Sequence, residues 1–430
     1  MKTNKTEKRT KNGLRSFPAN YWVAIVMEFF ERGSYYGLLS VLSVYLTNSL
    51  ADGGLAFTYE QAGIISSVTK PLLYLLPILS GAIADRYGYR RLLLIAFTVM
   101  GLGYYLSGIV TGYETVFASL LLMNIGAGFF KPIISGTIAR TTTEKNSGLG
   151  FGIFYWSINL GAFIFPLILV PMFKSVSYSY IFYMSAILCG ALLCIGVFLY
   201  REPARPKTNK SLKQVFGEII EVLRDIRFIL MTLIYSMFWI LYFQMFDSVL
   251  WYVHDYVDAG ALNSVINRFL QLFVAAPDWK FDVEYITVIN AGVIICLQFI
   301  VSHIVKNFKP LPTMIAGIAI GSAGMATLAI SSNIWVLIAG IVIFTLGEMT
   351  AHPKFMSYVG LIAPEDKKAL YLGYSFLYGV IGSGIGGILG ASLYSSLVKE
   401  MNCPTAFWLI FAGIGALTIV GLLIFNRFKR

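Results

Sequence analysis

Apolar residues run for about twenty positions at a time, and the breaks between these runs are short and polar. About twelve runs are visible, at residues 21–48, 59–84, 91–110, 115–139, 149–172, 179–200, 228–254, 284–306, 311–330, 334–362, 369–397 and 404–426. A helix needs about twenty apolar residues to cross the hydrocarbon of a bilayer, whereas a barrel strand needs about ten with alternating polarity. No such alternation recurs, so helices must satisfy the backbone. The pattern predicts an all-α polytopic membrane protein with about 12 transmembrane helices.

Composition agrees with the pattern. The chain is 57% hydrophobic and 13% charged over 430 residues, and its mean hydropathy of +0.72 lies far above that of a soluble domain. The charges that remain are placed unevenly. With the basic tail MKTNKTEKRTKNGLRS on the cytoplasmic side, the inner loops and both tails hold 25 of the 33 Lys and Arg residues, and the outer loops hold four. That is the positive-inside asymmetry, and it predicts a multi-pass plasma-membrane protein, such as one of a bacterial cell inner membrane, with both termini cytoplasmic and no cleavable leader. The net charge of +11 is then a topology signal and implies no nucleic-acid partner. Cys189, Cys194, Cys296 and Cys403 form no metal or redox spacing.

The longest polar inner segment, residues 201–227, divides the chain into a tail with six spans (1–200) and a second set of six (228–430). Val215, Ile219, Ile220 and Leu223 recur at helical spacing among charges, which predicts an amphipathic helix on the membrane surface.

Away from the span ends, eight charged residues lie inside spans: Glu28, Glu31, Asp247 and Glu348 against Arg32, Lys70, Lys131 and Lys354. An ionisable group at bilayer depth costs about 2.5–3.5 kcal/mol on insertion scales and marks a pathway or relay. In EFFERGSYYG, Glu28, Glu31, Arg32 and Tyr35 fall at i, i+3, i+4 and i+7, one polar stripe in which Glu28 and Arg32 can pair. The stripe must face a cavity. A static ion-pair network that only fixes helix packing is the plainer reading, but a buried pair is poor glue.

Several stretches carry a resemblance. GAIADRYGYRR (81–91) is similar to the inner-loop motif of the major facilitator superfamily, which implies two six-helix halves with a site at their interface and a cytoplasmic gate built from Asp85, Arg86 and Arg90. More narrowly, EFFERGSYYG in span 1, GAGFFKPIISGTI (126–138) in span 4, FGIFYWSINLGAFIFPLI (151–168) in span 5 and LGEMTAHPKFMSYVGLIAP (346–364) in span 10 resemble the proton-dependent oligopeptide transporter family. That resemblance implies a proton-coupled symporter importing di- and tripeptides or similar zwitterions by alternating access. It implies protons on Glu28 and Glu31, with Arg32 and Lys131 as partners, and substrate held by Tyr35, Tyr36, Lys131, Tyr155, Asn159, Glu348 and Asn290, the last within YITVINAGVII. Expected partners are the small-molecule substrate, protons and the lipid bilayer. A facilitator or symporter for another carboxylated solute, or a non-transporting receptor, would use the same fold.

The family pattern breaks in two places. Its peptide-carrying members usually have a second arginine where this chain has Leu39, and an acid where it has Phe243, with Asp247 one turn later. Lys70, on one helix face with Tyr74, is the expected replacement cation and both are expected to meet substrate; the alternative is that Lys70 pairs structurally with an acid and the substrate is not a peptide. Lys70 and Lys131 are expected to clamp the substrate carboxylate, and Asp247 to join proton coupling by pairing with Arg32. GSGIGG (382–387) reads as helix packing, because no strand precedes it. His352, one turn from Glu348, suits either a relay or a hydrogen bond to a neighbouring helix. No cofactor, metal cluster, nucleophile triad or phosphate loop is expected, and so no enzyme.

Overall fold

The computed structural model describes residues 13–203 and 212–428. Its helices are α1 (Ala19–Thr47), α2 (Tyr59–Tyr87), α3 (Tyr89–Ser107), α4 (Tyr113–Thr141), α5 (Ser147–Lys174), α6 (Tyr178–Phe198) and α7 (Leu212–Arg224), followed by α8 (Ile226–Tyr256), α9 (Gly260–Leu270), α10 (Tyr285–Val305), α11 (Pro310–Leu328), α12 (Ile334–Ile362), α13 (Leu370–Glu400) and α14 (Pro404–Phe428). Spans 1–6 are α1–α6, span 7 is α8, and spans 8–12 are α10–α14. Ten of these twelve are long and apolar enough to cross a membrane. The other two, α1 and α3, carry Glu28, Glu31 and Arg32 in one case and Arg90 and Arg91 in the other. Among the described residues no strand forms beyond a single bridge between Asp258 and Asn333.

Two spans are broken. Helical bonding in α8 is interrupted at Met245–Asp247, and in α13 at Ser375–Phe376. Helix α7 occupies the position expected for an amphipathic helix. Its Ile220 and Leu223 are exposed and Val222 is buried, while the side chains of Val215 and Ile219 lie outside the described residues. Asp225 joins α7 to α8 by accepting bonds from the amides of Arg227 and Phe228, the N-terminal donors that a helix cannot satisfy itself.

Three seams join the first six spans to the last six: α1 with α8, α2 with α13, and α5 with α10. Each is closed at the end of the bundle away from where α1 begins, hereafter the far end. Trp251 Nε1 donates to the Ser43 carbonyl at 2.9 Å, joining α1 to α8. Lys174 at the end of α5 pairs with Asp282 and Glu284, just before α10, at 2.6 and 2.9 Å. At the α2–α13 crossing, small residues let the backbones touch, so the packing role expected of GSGIGG is the one found. A Cβ on Gly387 would lie 2.5 Å from Ser67 Oγ and 2.9 Å from the Gly63 carbonyl oxygen.

A bulky side chain at that crossing should hold the far end open. Overpacking costs about 1–3 kcal/mol, so Gly387→Leu should raise labelling of a Ser43→Cys reporter by membrane-impermeant thiol reagents roughly tenfold. Unchanged labelling would show that this crossing does not set closure.

Candidate functional site

The opposite, basic end is open. A cavity of about 540 Å³ rises from it between the halves, lined by Glu28 of α1, Pro77, Asp85 and Arg86 of α2, Lys131 of α4, Phe154 and Ile158 of α5, Glu218 of α7 and Tyr374 and Phe376 of α13. Glu28, Glu31 and Arg32 are all buried, and of the three Glu28 lines the cavity. Arg32 is held by Glu31, with Nε 2.5 Å from Oε2 and Nη2 2.6 Å from Oε1. Glu28 Oε1 is 4.0 Å from Arg32 Nε, and Glu28 Oε2 has no hydrogen-bond partner among the described residues. The pair expected between Glu28 and Arg32 is therefore secondary to the pair with Glu31, which takes the guanidinium side-on through two nitrogens. Arg32 also lies 4.9 Å over the Tyr35 ring, and Tyr36 packs on Phe246.

Lys131 faces the same cavity and makes no ion pair among the described residues. Its ammonium lies 4.8 Å from the centre of the Tyr74 ring and 5.1 Å from that of Phe376, so one aromatic from each half steadies it by attraction to the ring face. The cavity thus offers a free carboxylate oxygen and an uncommitted cation.

A second compartment of about 310 Å³ lies between α5, α10 and α12, lined by Tyr155, Gln298, Ser302, Glu348 and His352. Asn290 Nδ2 donates to Thr345 Oγ1 at 2.9 Å and to Glu348 Oε2 at 3.3 Å, which brings two expected residues together. Asn159 turns back to the Tyr155 carbonyl of its own helix. His352 Nδ1 is 3.4 Å from the Tyr235 hydroxyl of α8, a contact to a neighbouring helix, and His352 lines the same compartment as Glu348. Lys354 donates to the Phe308 carbonyl at 2.8 Å.

Two expectations are corrected. Asp247 pairs with Lys70, not Arg32: Lys70 Nζ is 2.6 Å from Asp247 Oδ2, with both side chains about 5% exposed, and Ser66 Oγ donates to Oδ1 at 3.1 Å. The break in α8 turns Asp247 toward α2, while Glu31 already occupies Arg32. Lys70 consequently does not share the cavity with Lys131, and the two do not form a clamp. It reaches Asp247 beside the closed α1–α8 seam, where it lines one small void with Leu39, Tyr35 and Asn124. The missing arginine position and the extra lysine are thus neighbours.

The expected gate residues are held within the first six spans. Asp85 accepts from Arg140 Nη2 at 2.6 Å and from the Tyr89 hydroxyl at 3.0 Å. Arg90 donates to the carbonyls of Gly196 and Val197 at the end of α6, and Arg86 is exposed at the cavity mouth. Sequence reasoning missed the aromatic lining of Phe154 and Phe376 and the polar Gln298 and Ser302. In a chain with 32 Phe and 26 Tyr such residues carry no local signal.

The family model for the Major Facilitator Superfamily matches residues 21–276 and 259–429. A di-/tripeptide transporter of Lactococcus lactis subsp. lactis (strain IL1403) is 31% identical over 223 residues, which cover 48% of this chain and 44% of that protein. The chain thus matches less than half the length of that relative. The peptide transporter YePEPT of Yersinia enterocolitica subsp. palearctica serotype O:3 (strain YE-P4) is 23% identical, with 88% of each chain covered. A crystal structure of a POT family transporter in complex with 5-aminolevulinic acid superposes with a TM-score of 0.78 at 22% identity, covering 97% of both chains. The resemblance read from the four motifs is borne out by these relatives. A nucleoside transporter, NupG, also shares the fold, with a TM-score of 0.75 at 15% identity, so the fold alone does not choose the solute.

Proposed function

Because the chain belongs to the Major Facilitator Superfamily, we propose that it is a proton-coupled symporter importing short peptides or similar small zwitterions, with both termini cytoplasmic and residues 1–200 and 228–430 rocking about the central cavity. The single observation that carries this reading is that one cavity is lined by both Glu28, with one oxygen unpartnered among the described residues, and Lys131, with no ion pair among them. A carboxylate in a dry site favours its proton until a cation approaches. When a substrate carboxylate engages Lys131, Glu28 and Glu31 share Arg32 alone and take up a proton. When Lys131 returns, the proton leaves.

The amino group of the substrate then meets Glu348, which Asn290 orients in the second compartment. A hydrogen bond to a charged group contributes about 1.5–3 kcal/mol, so N-acetylation of a dipeptide should weaken its binding to wild type by roughly tenfold or more and barely change its binding to Glu348→Gln. Equal losses would remove Glu348 from the site. Asp85, Arg86 and Arg90 are proposed to close the basic end when the far end opens, because Asp85 and Arg86 line the mouth.

One feature favours a second reading, a carboxylated solute other than a peptide. Among the four cations inside spans, Arg32 and Lys70 are held by acids and Lys354 by a carbonyl, which leaves Lys131 to bind the substrate carboxylate alone. Uptake of labelled dipeptide into proteoliposomes under an imposed pH gradient, competed by a panel of peptides and amino acids, separates the two. Competition by amino acids but not by dipeptides would select the second reading.

A further inference from the structure

The segment joining α8 to α10 contains a helix, α9, with two unlike sides. One side docks on the protein. Leu262 is buried and Ile266 packs on the core. The Asn263 side-chain oxygen accepts the Phe281 amide at 2.8 Å, and Asn267 exchanges two bonds of 2.8 Å with the backbone of Trp279. Val265 and Phe269 of α9 are exposed, and so are Leu272 and Phe273 in the turn that follows it, the last two 74% and 73%. Left in water, such a contiguous apolar face would be an aggregation surface.

Topology names what covers it. Helix α8 crosses the membrane and ends at Tyr256, and α9 begins at Gly260. The segment then returns to α10, which crosses again from Tyr285. Only residues 257–259 separate α8 from α9, so the start of α9 stays within about 14 Å of the end of a span. Arg268, exposed beside the apolar stripe, is placed to reach lipid phosphates while its stem lies along acyl chains. We propose that α9 and the turn after it lie in the headgroup layer of the far-end leaflet, with Val265, Phe269, Leu272 and Phe273 against lipid. The consequence reaches the gate. Residues 279–281, which α9 holds, lead directly into Asp282 and Glu284, the partners of Lys174 across the α5–α10 seam. Lipid contact at α9 therefore steadies one of the three far-end closures, whatever the solute.

The test uses the full chain with its four cysteines replaced, carrying Phe273→Cys or Ser264→Cys labelled with an environment-sensitive fluorophore, in phosphatidylcholine–phosphatidylglycerol vesicles. Ser264 is exposed on the polar flank of α9. Doxyl lipid should quench the label at 273 at least about threefold more than the label at 264, and aqueous iodide should show the reverse. Equal iodide quenching at both, or disulfide cross-linking of Phe273→Cys to a second copy, overturns the proposal. Wild type gives an independent reading through photolabelling from an acyl-chain diazirine lipid. Adducts within residues 265–274 support lipid contact. Their absence while exposed Leu409 and Ile410 of α14 are labelled overturns it.

Discussion

Glu28→Gln and Glu31→Gln should each abolish pH-driven accumulation while substrate exchange across the membrane partly survives. The electrical part of a proton gradient is about 2.3 kcal/mol per charge per 100 mV, enough for roughly 50-fold accumulation with one proton per substrate. A variant that cannot cycle a proton should equilibrate its substrate and stop there. The two changes should fail differently. Glu28 has one free oxygen and only a 4.0 Å contact to Arg32, so its amide removes the proton site and little packing. Glu31 accepts from two nitrogens of Arg32, Nε and Nη2, and its amide leaves a buried guanidinium with a distant partner. Breaking a buried pair costs about 3–5 kcal/mol, partly relieved here as Glu28 moves in and stays ionised. Glu31→Gln should therefore lower the melting temperature in detergent as well, and Glu28→Gln should not. Counterflow and gradient-driven uptake, measured on the same proteoliposomes, separate exchange from accumulation. Gradient-driven accumulation by both variants would show that this stripe does not carry the proton.

The spans were legible because lipid leaves the backbone one solution and charges mark the ends. Each predicted run lies within a few residues of a helix, from 21–48 against Ala19–Thr47 to 404–426 against Pro404–Phe428. Residues close in sequence were legible too, since Glu28, Glu31 and Arg32 share a helix face by spacing alone. Partners on different helices were not. The interruption of α8 at Met245–Asp247 has no proline or glycine to announce it, yet it decides that Asp247 faces Lys70. Likewise the hold of Lys174 on Asp282 and Glu284 depends on where α9 docks the segment before α10, and no periodicity encodes that. Lys131 was legible as a cation inside a span, and its expected role came from the resemblance of span 4. That it makes no ion pair among the described residues is a property of the packed bundle.

Lys70→Ala should bias the protein toward a far-end-open state, and Lys70→Ala with Leu39→Arg should reverse much of that bias. With Lys70 removed, Asp247 keeps the Ser66 hydroxyl but loses its only charged partner among the described residues, inside a seam about 5% exposed. An uncompensated buried charge costs about 3–5 kcal/mol, and the chain can lower that cost by opening the seam and letting water reach the carboxylate. A shift of about 3 kcal/mol changes the ratio of closed to open forms by roughly two orders of magnitude. Labelling of a Ser43→Cys reporter from the far side should rise accordingly. Replacing both partners by leucine removes charge and partner together, which is often neutral or stabilising, so Lys70→Leu with Asp247→Leu should restore closure and leave a transporter slow to open. Leu39 and Lys70 line the same void, so an arginine at 39 can reach toward Asp247 from α1 and supply the charge that α2 now provides. Non-additive coupling between Lys70 and Asp247 in labelling rate is the signature of a direct pair. Additive effects, or a Lys70→Ala protein that stays closed and takes up substrate at the wild-type rate, would show that the pair fixes helix packing and takes no part in gating.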